Sequence, residues 1–431
     1  MAKLQRIPLG RKPGQRRIEM PEVVQVQLNE LAASAYQGLL AFSVGVGMQV
    51  LNTMMHQDVA RVVGPKGTHD PFRTASRHGT DTRSVELGGR RVVVQRPRAR
   101  TTDGREVPIP SYDFFADGGL MPEMAFTGML AGVSTRNYDQ RLEPVGDLDG
   151  FATSRQAISD RFAARATIEF QKLMMRDLSG LTLCALFADG FGLGDHTVVV
   201  VIGVDHQGNK HVLGLREGTT ENKVVCSALL ANLVERGLDF SGGVLCVIDG
   251  GKGLRAGVKK VFGALGLIHR CQLHKERNVE GHLPEHLWPV VRKRMRKAWS
   301  NTDAAKGLKE MESLARSIDE AHPGAASSLR EGMEETFTIA RLSVPAKLAV
   351  TMFSTNIVES AISVARTAHR NVKRWRSGKM AERWAAAGMS VAQHQFRKVD
   401  GYREIPALVA ALQAHVDKVS DQGVKQDVKV A

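Results

Sequence analysis

Between residues 181 and 270 the chain alternates apolar runs of strand length with polar turns. "LTLCALFADG", "HTVVVVIGVD" and "KHVLGLREG" predict three consecutive strands, the last two joined by a turn at Asp205–Gly208. "TENKVVCSALLANLVERGL" carries apolar residues at helical spacing, "GGVLCVID" predicts a fourth strand, "KGLRAGVKKVFGAL" a helix and "GLIHRC" a short fifth strand. The order βββαβαβ, opened by a hairpin, is that of a mixed sheet of the ribonuclease-H-like type. A doubly wound dinucleotide-binding fold would begin β-α-β.

The flanks have other periods. From "CQLHKERNV" to about Val350 the pattern is helical, as an insertion into the α/β core, and "FSTNIVESAISVARTAHRNVKRW" starts a new helix. Upstream, residues 21 to about 64 read as helix, Gly64 to Thr82 as polar and turn-rich, and "SVELGGRRVVVQRPRARTTDGREVPIPSY" as a β-meander. Its strands carry Arg90, Arg91, Arg96, Arg98 and Arg100, which suit either a solvated face or phosphate contact. "GMLAGVSTRNYDQRL" and "GFATSRQAISDRFAARATIEF" resemble helix–turn–helix pieces. The second sets Arg155, Gln156, Ser159 and Arg161 at a helix start, where base edges would be read. The expected organisation is residues 1–82 a basic tail and helical region, and 83–180 a DNA-binding region of meander and helices. Residues 181–280 follow as the first part of the core, 281–350 as the helical insertion, 351–400 as a returning core helix and 401–431 as a tail.

Composition narrows the partners. With 431 residues and 43% hydrophobic residues the chain can bury substantial cores. Lys and Arg outnumber Asp and Glu by 59 to 45, which favours a polyanionic partner. Four irregularly spaced cysteines make no disulfide framework, and the basic N-terminus lacks an apolar secretory core. "GLLAFSVGVGMQVLNTMM" is interrupted by Ser43, Gln49 and Asn52, short of a clean membrane span. A reducing, cytoplasmic setting without membrane attachment is the expectation.

The chemistry centres on acids. "VIDGGKGL" fits the loose G-x-G-x-x-A turn through Gly251, Gly253 and Ala256, yet its strand is fourth in the domain and ends in Asp249, whose charge would repel a bare pyrophosphate. Asp189, in "ALFADG", falls on a strand adjacent to that of Asp249 in the expected sheet. Two neighbouring carboxylates call for a cation, which Mg²⁺ supplies through oxygen ligands. Glu359 is the candidate third acid. Asn356 three residues before it also suits a simple capping box, while Arg366, Arg370, Lys373, Arg374 and Arg376 downstream suit phosphate. Cys271 and His274, with His282 and His286, make a weak zinc pattern, because Pro284 interrupts the helix and the spacing is atypical. Trp288 and Trp299 read as core, with base stacking as the alternative.

Together, "ADG…VVVVIGVDHQGNKHVLGLREGTTEN", "VIDGGKGL", "HRCQLHKERNV", "STNIVESAISVART" and "NVKRWRSGKMAERW" resemble the transposases of bacterial insertion sequences of the Mutator-like DDE group, from about residue 85 to 405. The resemblance implies a ribonuclease-H-like core with a helical insertion between the second Asp and the Glu, and an acidic triad at Asp189, Asp249 and Glu359 holding two Mg²⁺ or Mn²⁺ ions. It implies an N-terminal region that binds terminal inverted repeats, a C-x-x-H motif at Cys271 and His274 of structural or DNA-positioning role, and a homodimer or larger assembly on element and target DNA. Arg155, Gln156, Ser159, Arg161, Arg366, Arg370, Lys373 and Arg374 are the expected DNA contacts. A DNA-binding regulator without chemistry and a structure-selective nuclease are the alternatives on the same scaffold.

Overall fold

The computed structural model describes residues 22–68, 72–87, 90–116, 120–138, 150–151, 154–218 and 222–430. The chain forms two compact units, residues 1–121 with 139–153, and residues 122–138 with 154–431. This division differs from the expected boundaries. The meander joins the preceding long helix, and the helix expected to read DNA joins the core.

The first unit contains α1 (Glu22–Val63), β1 (Ala75–Leu87), β2 (Arg90–Thr101), α2 (Pro110–Ala116) and β3 (Gly150–Phe151). β1 and β2 are antiparallel, from Leu87 opposite Arg90 to Ala75 opposite Thr101, and β3 adds to β2. Residues 75–82, expected as turn, are thus strand: their polar sequence hides the pattern, and pairing with β2 supplies what propensity does not. Met48, Leu51, Met55 and Val59 recur at helical spacing on α1 and pack on Val85, Val92, Val94 and Ala99. The buried Asp58 of α1 accepts from the backbone N–H of Ser111 at 2.8 Å and from its hydroxyl at 2.6 Å, fixing the start of α2. Arg96, Arg98 and Arg100 alternate along one face of β2 and converge on Glu106, Arg98 through two bonds of 2.7 and 2.9 Å. Hydrogen bonding by Arg98 leads in holding the Glu106 carboxyl down at about 2. These three arginines therefore have an internal acid to neutralise.

The second unit begins with α3 (Leu120–Leu130), whose first two residues group with the first unit, and α4 (Arg155–Met175). The core follows as β4 (Leu183–Leu193), β5 (His196–Asp205), β6 (Lys210–Gly218), α5 (Lys223–Glu235), β7 (Val244–Ile248), α6 (Lys252–Phe262) and β8 (Gly266–Arg270). Then come α7 (Gln272–Glu280), α8 (Trp288–Trp299), α9 (Ala304–Asp319), α10 (Pro323–Arg330), α11 (Thr338–Arg341), α12 (Ala346–Met352), α13 (Asn356–Ala368), α14 (Gly378–His394) and α15 (Ile405–Val430). The five strands lie in the order β6-β5-β4-β7-β8; β4, β5 and β6 run antiparallel, and β7 and β8 are parallel to β4.

Both faces of the sheet are covered, which explains the unbroken apolar runs of β4 and β5. Phe187, Val198, Val200 and Ile202 face α12–α15, while Leu186, Val199 and Val201 face α5 and α6. A separate apolar cluster joins α7 to α8, α9 and α10, with Met295, Met311, Leu314 and Phe337 at its centre. Trp288 and Trp299 pack against it, and their indole N–H groups donate to Leu283 O and Thr336 Oγ1. From Ile405 to Val430 the chain is the helix α15. Ile405, Leu408 and Leu412 of α15 are buried in the main core, an amphipathic signal missed in the final segment.

Among the described residues no single helix is long and apolar enough to cross a membrane. α12 and α13 pass such a test only as a pair bent by 46°, and their apolar residues belong to the core.

Candidate functional site

The sheet brings the first two acids together. β4 and β7 pair in parallel with Ala188 opposite Ile248, so Asp189 and Asp249 follow at the next position on neighbouring strands. β4 continues past Asp189 to Leu193, whereas β7 stops at Ile248 and Asp249 opens a turn. Asp189 is 7% exposed and accepts from the backbone N–H of Gly190 at 2.8 Å; Asp249 accepts from that of Gly251 at 2.7 Å. Burial, then the charge of Asp249, pushes the Asp189 carboxyl up to about 6, against a smaller opposing pull from His274. The glycines after Asp249 serve this turn, with Gly251 at the N-cap of α6.

Glu359 arrives from α13. Its predicted partnership with Asn356 is not what forms: Asn356 is already inside the helix, the N-cap is Thr355, and no side chain caps the end. Instead Thr355 Oγ1 donates to Glu359 Oε1 at 3.3 Å. From the facing helix, His274 Nδ1 lies 3.9 Å and Arg277 Nη1 3.7 Å from the same carboxylate. Ligand atoms of Asp189, His274 and Glu359 all fall within 4.8 Å of one another, the one such cluster among the described residues. Sequence spacing singled out His274, but not its place among the acids; β8 and the N-terminus of α7 carry it there.

Cys271 caps α7, its sulfur accepting from the N–H of His274 at 3.5 Å and from that of Thr355 at 3.4 Å. Burial pushes this thiol up, yet hydrogen bonds from His274 and Thr355 outweigh it and leave the group below its ordinary range. Bonding to Cys271 in turn holds His274 up at about 9. The C-x-x-H pair is therefore a hydrogen-bonded couple in which the buried Cys271 thiol is held low and His274, held up, faces the acids. The weak zinc pattern does not assemble: His282 lies against Gly324.

The remaining candidates fall in two places. Arg155, Gln156 and Ser159 are exposed at the start of α4 and Arg161 half-exposed. Ser154 caps this helix, and Gln156 is bonded to Asp160 at 2.7 Å. The element before it is β3 rather than a helix, and α3 is followed by turns up to residue 138, with residues 139–149 outside the described set. Neither expected helix–turn–helix is formed by the described residues. At the other end of α13, Arg366, Arg370, Lys373 and Arg374 are exposed and make no ion pair among the described residues. Arg370 also packs on the turn at Gly132, and Asn371 donates to Gly132 O. The basic run of α8 is partly consumed inside the molecule: Arg296 forks onto Glu276 at 2.7 and 2.8 Å, and Arg292 binds Glu280 at 2.7 Å.

The sequence profile described as "Transposase, Mutator family" matches residues 21–397. The chain belongs to the Mutator family of transposases. It is 24% identical over 244 residues to the transposase for insertion sequence element IS6120 of Mycolicibacterium smegmatis, covering 55% of this chain and 73% of that protein. It is 25% identical over 176 residues to that for element IST2 of Acidithiobacillus ferrooxidans, covering 41% and 57%. With that for element IS1081 of Mycobacterium tuberculosis it shares 26% over 271 residues, covering 59% and 63%. The chain thus spans less than two thirds of the last two relatives. The family match takes in Asp189, His274 and Glu359, so the whole cluster lies within the matched residues, as does Asp249.

Proposed function

We propose that this chain is a DNA transposase that binds the ends of an insertion sequence and cleaves and joins DNA strands by phosphoryl transfer at Asp189, Asp249 and Glu359. The observation that carries the reading is the parallel β4–β7 register, which makes Asp189 and Asp249 neighbours in a chain of the Mutator family. The strand order, three antiparallel strands followed by two parallel ones, is in keeping with a ribonuclease-H-like core.

The donor set fits a divalent cation. Asp189 stands within ligand distance of Glu359 and is next in register to Asp249, beside which it resists ionisation; a hard cation with oxygen ligands removes that repulsion. His274 is engaged by Thr355 and Cys271, which leaves the carboxylates as the holding residues for Mg²⁺ or Mn²⁺. When bound there, such ions would supply Lewis-acid neutralisation of phosphodiester charge and a lowered pKa for the attacking hydroxyl. The protein's own groups do the rest. Thr355 orients Glu359 by its hydrogen bond. His274 holds positive charge against the acids, and the exposed Arg366, Arg370, Lys373 and Arg374 offer phosphate contacts beside α13. The α4 residues Arg155, Gln156, Ser159 and Arg161 form a second DNA-facing candidate surface, with no helix–turn–helix formed by the described residues.

The test is an excision and integration assay with a marked element. Asp249→Ala should retain DNA binding and lose both cleavage and joining; joining at the wild-type level in that variant overturns the assignment, and cutting without joining by the wild type assigns a nuclease instead.

A further inference from the structure

The Asp249 turn is held from beneath by one side chain. Arg270 ends β8, directly opposite Ile248 in the parallel register, and the next N–H, of Cys271, donates to Ile248 O at 2.7 Å. Its guanidinium, on a residue only 4% exposed, passes under Gly250. Gly250 has φ +98°, and a Cβ built there would stand 2.1 Å from Arg270 Nε and 2.6 Å from Cζ. Any side chain at 250 would displace the guanidinium, so the glycine serves this contact as well as the turn.

The far side of the fork is fixed by the helical insertion. Arg270 Nη1 donates to Glu331 O at 2.8 Å and Nη2 to the Glu331 carboxylate at 3.1 Å. Gly332, at φ +62°, leaves room there: a Cβ on it would stand 2.7 Å from Nη1. Buried Lys275 donates to the same Glu331 carbonyl at 2.5 Å. Nε, by contrast, is buried with no hydrogen-bond partner among the described residues and faces the Gly250 backbone. A planar cation clamped between two glycine turns, one of them beginning at Asp249, is costly to bury, and Glu331 offsets that cost on the insertion side alone.

We infer that Arg270 is a positioning residue: it fixes the Asp249–Gly250 turn against the Glu331–Gly332 turn of the helical insertion and so sets where Asp249 presents its carboxylate to the divalent cation. This rests on the functional reading above, and it makes the insertion part of the acid site's support. Lysine cannot replace Arg here, because a point cation lacks the planar fork that bonds Glu331 while lying flat under Gly250.

The experiment measures Mn²⁺ binding to the full chain by calorimetry, beside strand cleavage as a function of metal concentration and DNA binding without metal. Arg270→Met should weaken Mn²⁺ binding about tenfold and raise the half-saturating metal concentration equally. Cleavage should recover at saturating metal, and DNA affinity should stay within twofold. Arg270→Lys should show an intermediate loss. Gly332→Ala, which crowds Nη1 without removing the charge, should weaken metal several-fold and serves if Arg270→Met does not fold. Asp249→Asn is the control. Metal binding within twofold of wild type in Arg270→Met and Gly332→Ala, with loss in Asp249→Asn, overturns the inference. Unchanged binding in Asp249→Asn as well removes the metal reading of Asp249 and this inference with it.

Discussion

Asp189→Asn should stabilise the metal-free protein while removing its chemistry. In the fold the Asp189 carboxyl keeps its proton up to about pH 6, against 3.8 for the ordinary group. Folding therefore takes up a proton between those values, and stability falls as pH rises from about 4 to about 6; above that the penalty is complete. Two pKa units at about 1.4 kcal/mol each give a ceiling of about 3 kcal/mol. Asparagine keeps the acceptor for Gly190 N–H and discards the charge beside Asp249. In EDTA at pH 7.5, thermal unfolding should shift upward by about 2–6 °C for a unit of this size. The gain should vanish at pH 4, where wild-type Asp189 is neutral. Adding Mg²⁺ should raise the wild-type midpoint, the stability gain being about 2.7 kcal/mol at a hundredfold excess over its dissociation constant, and leave the variant nearly unmoved. No gain at pH 7.5, or an equal gain at pH 4, would refute the electrostatic argument.

Other outcomes follow from the same contacts. Arg296→Ala leaves Glu276 buried without its fork and should cost up to about 3 kcal/mol in urea unfolding, while exposed Lys293→Ala stays within about 0.5 kcal/mol. His274→Gln should be less stable than wild type, with the gap full below about pH 6.5 and closing as pH rises through about 9, where wild-type His274 gives up its proton; a gap independent of pH speaks against the imidazolium. Arg374→Ala should weaken DNA binding about equally across sequences and lower the salt slope by about one, measured by titration at several ionic strengths.

The core was legible because both faces of the sheet are covered. Continuous runs such as Val198–Ile202 have no reading other than central strands, and strand order then makes Asp189 and Asp249 neighbours. What escaped depended on contacts far apart in sequence. β1 starts at Ala75 because β2 pairs with it, not because its own residues favour a strand. The arginines of β2 suited either a solvated face or phosphate contact, and the basic run of α8 carried no signal of its partners. The acids that occupy them, Glu106 for β2 and Glu276 and Glu280 for α8, lie on other elements, so net charge overstates what is free to meet DNA. Helix–turn–helix signals at residues 128–142 and 150–170 rested on a cap and a turn alone. The cap at Ser154 is real, but the described residues before it are the short strand β3, and the residues that would carry a preceding helix lie outside those described. The role of Arg270 was invisible, since it depends on a glycine twenty residues earlier having no side chain.

The spacing of the acids also orders events during synthesis. Asp189 and Asp249 leave the ribosome with their sheet, but Glu359 follows only after the whole helical insertion, an interval of about 110 residues or about 5–20 s of elongation. Until then the growing chain holds two mutually repelling carboxylates and no third, with the apolar sheet face of Phe187 and Val200 still lacking α13, α14 and α15. A product released early would expose the α4 surface without Glu359 beside Asp189 and His274. The cluster of Asp189, His274 and Glu359 is thus assembled only once the insertion has been made, so its closure reports on the folding of everything between.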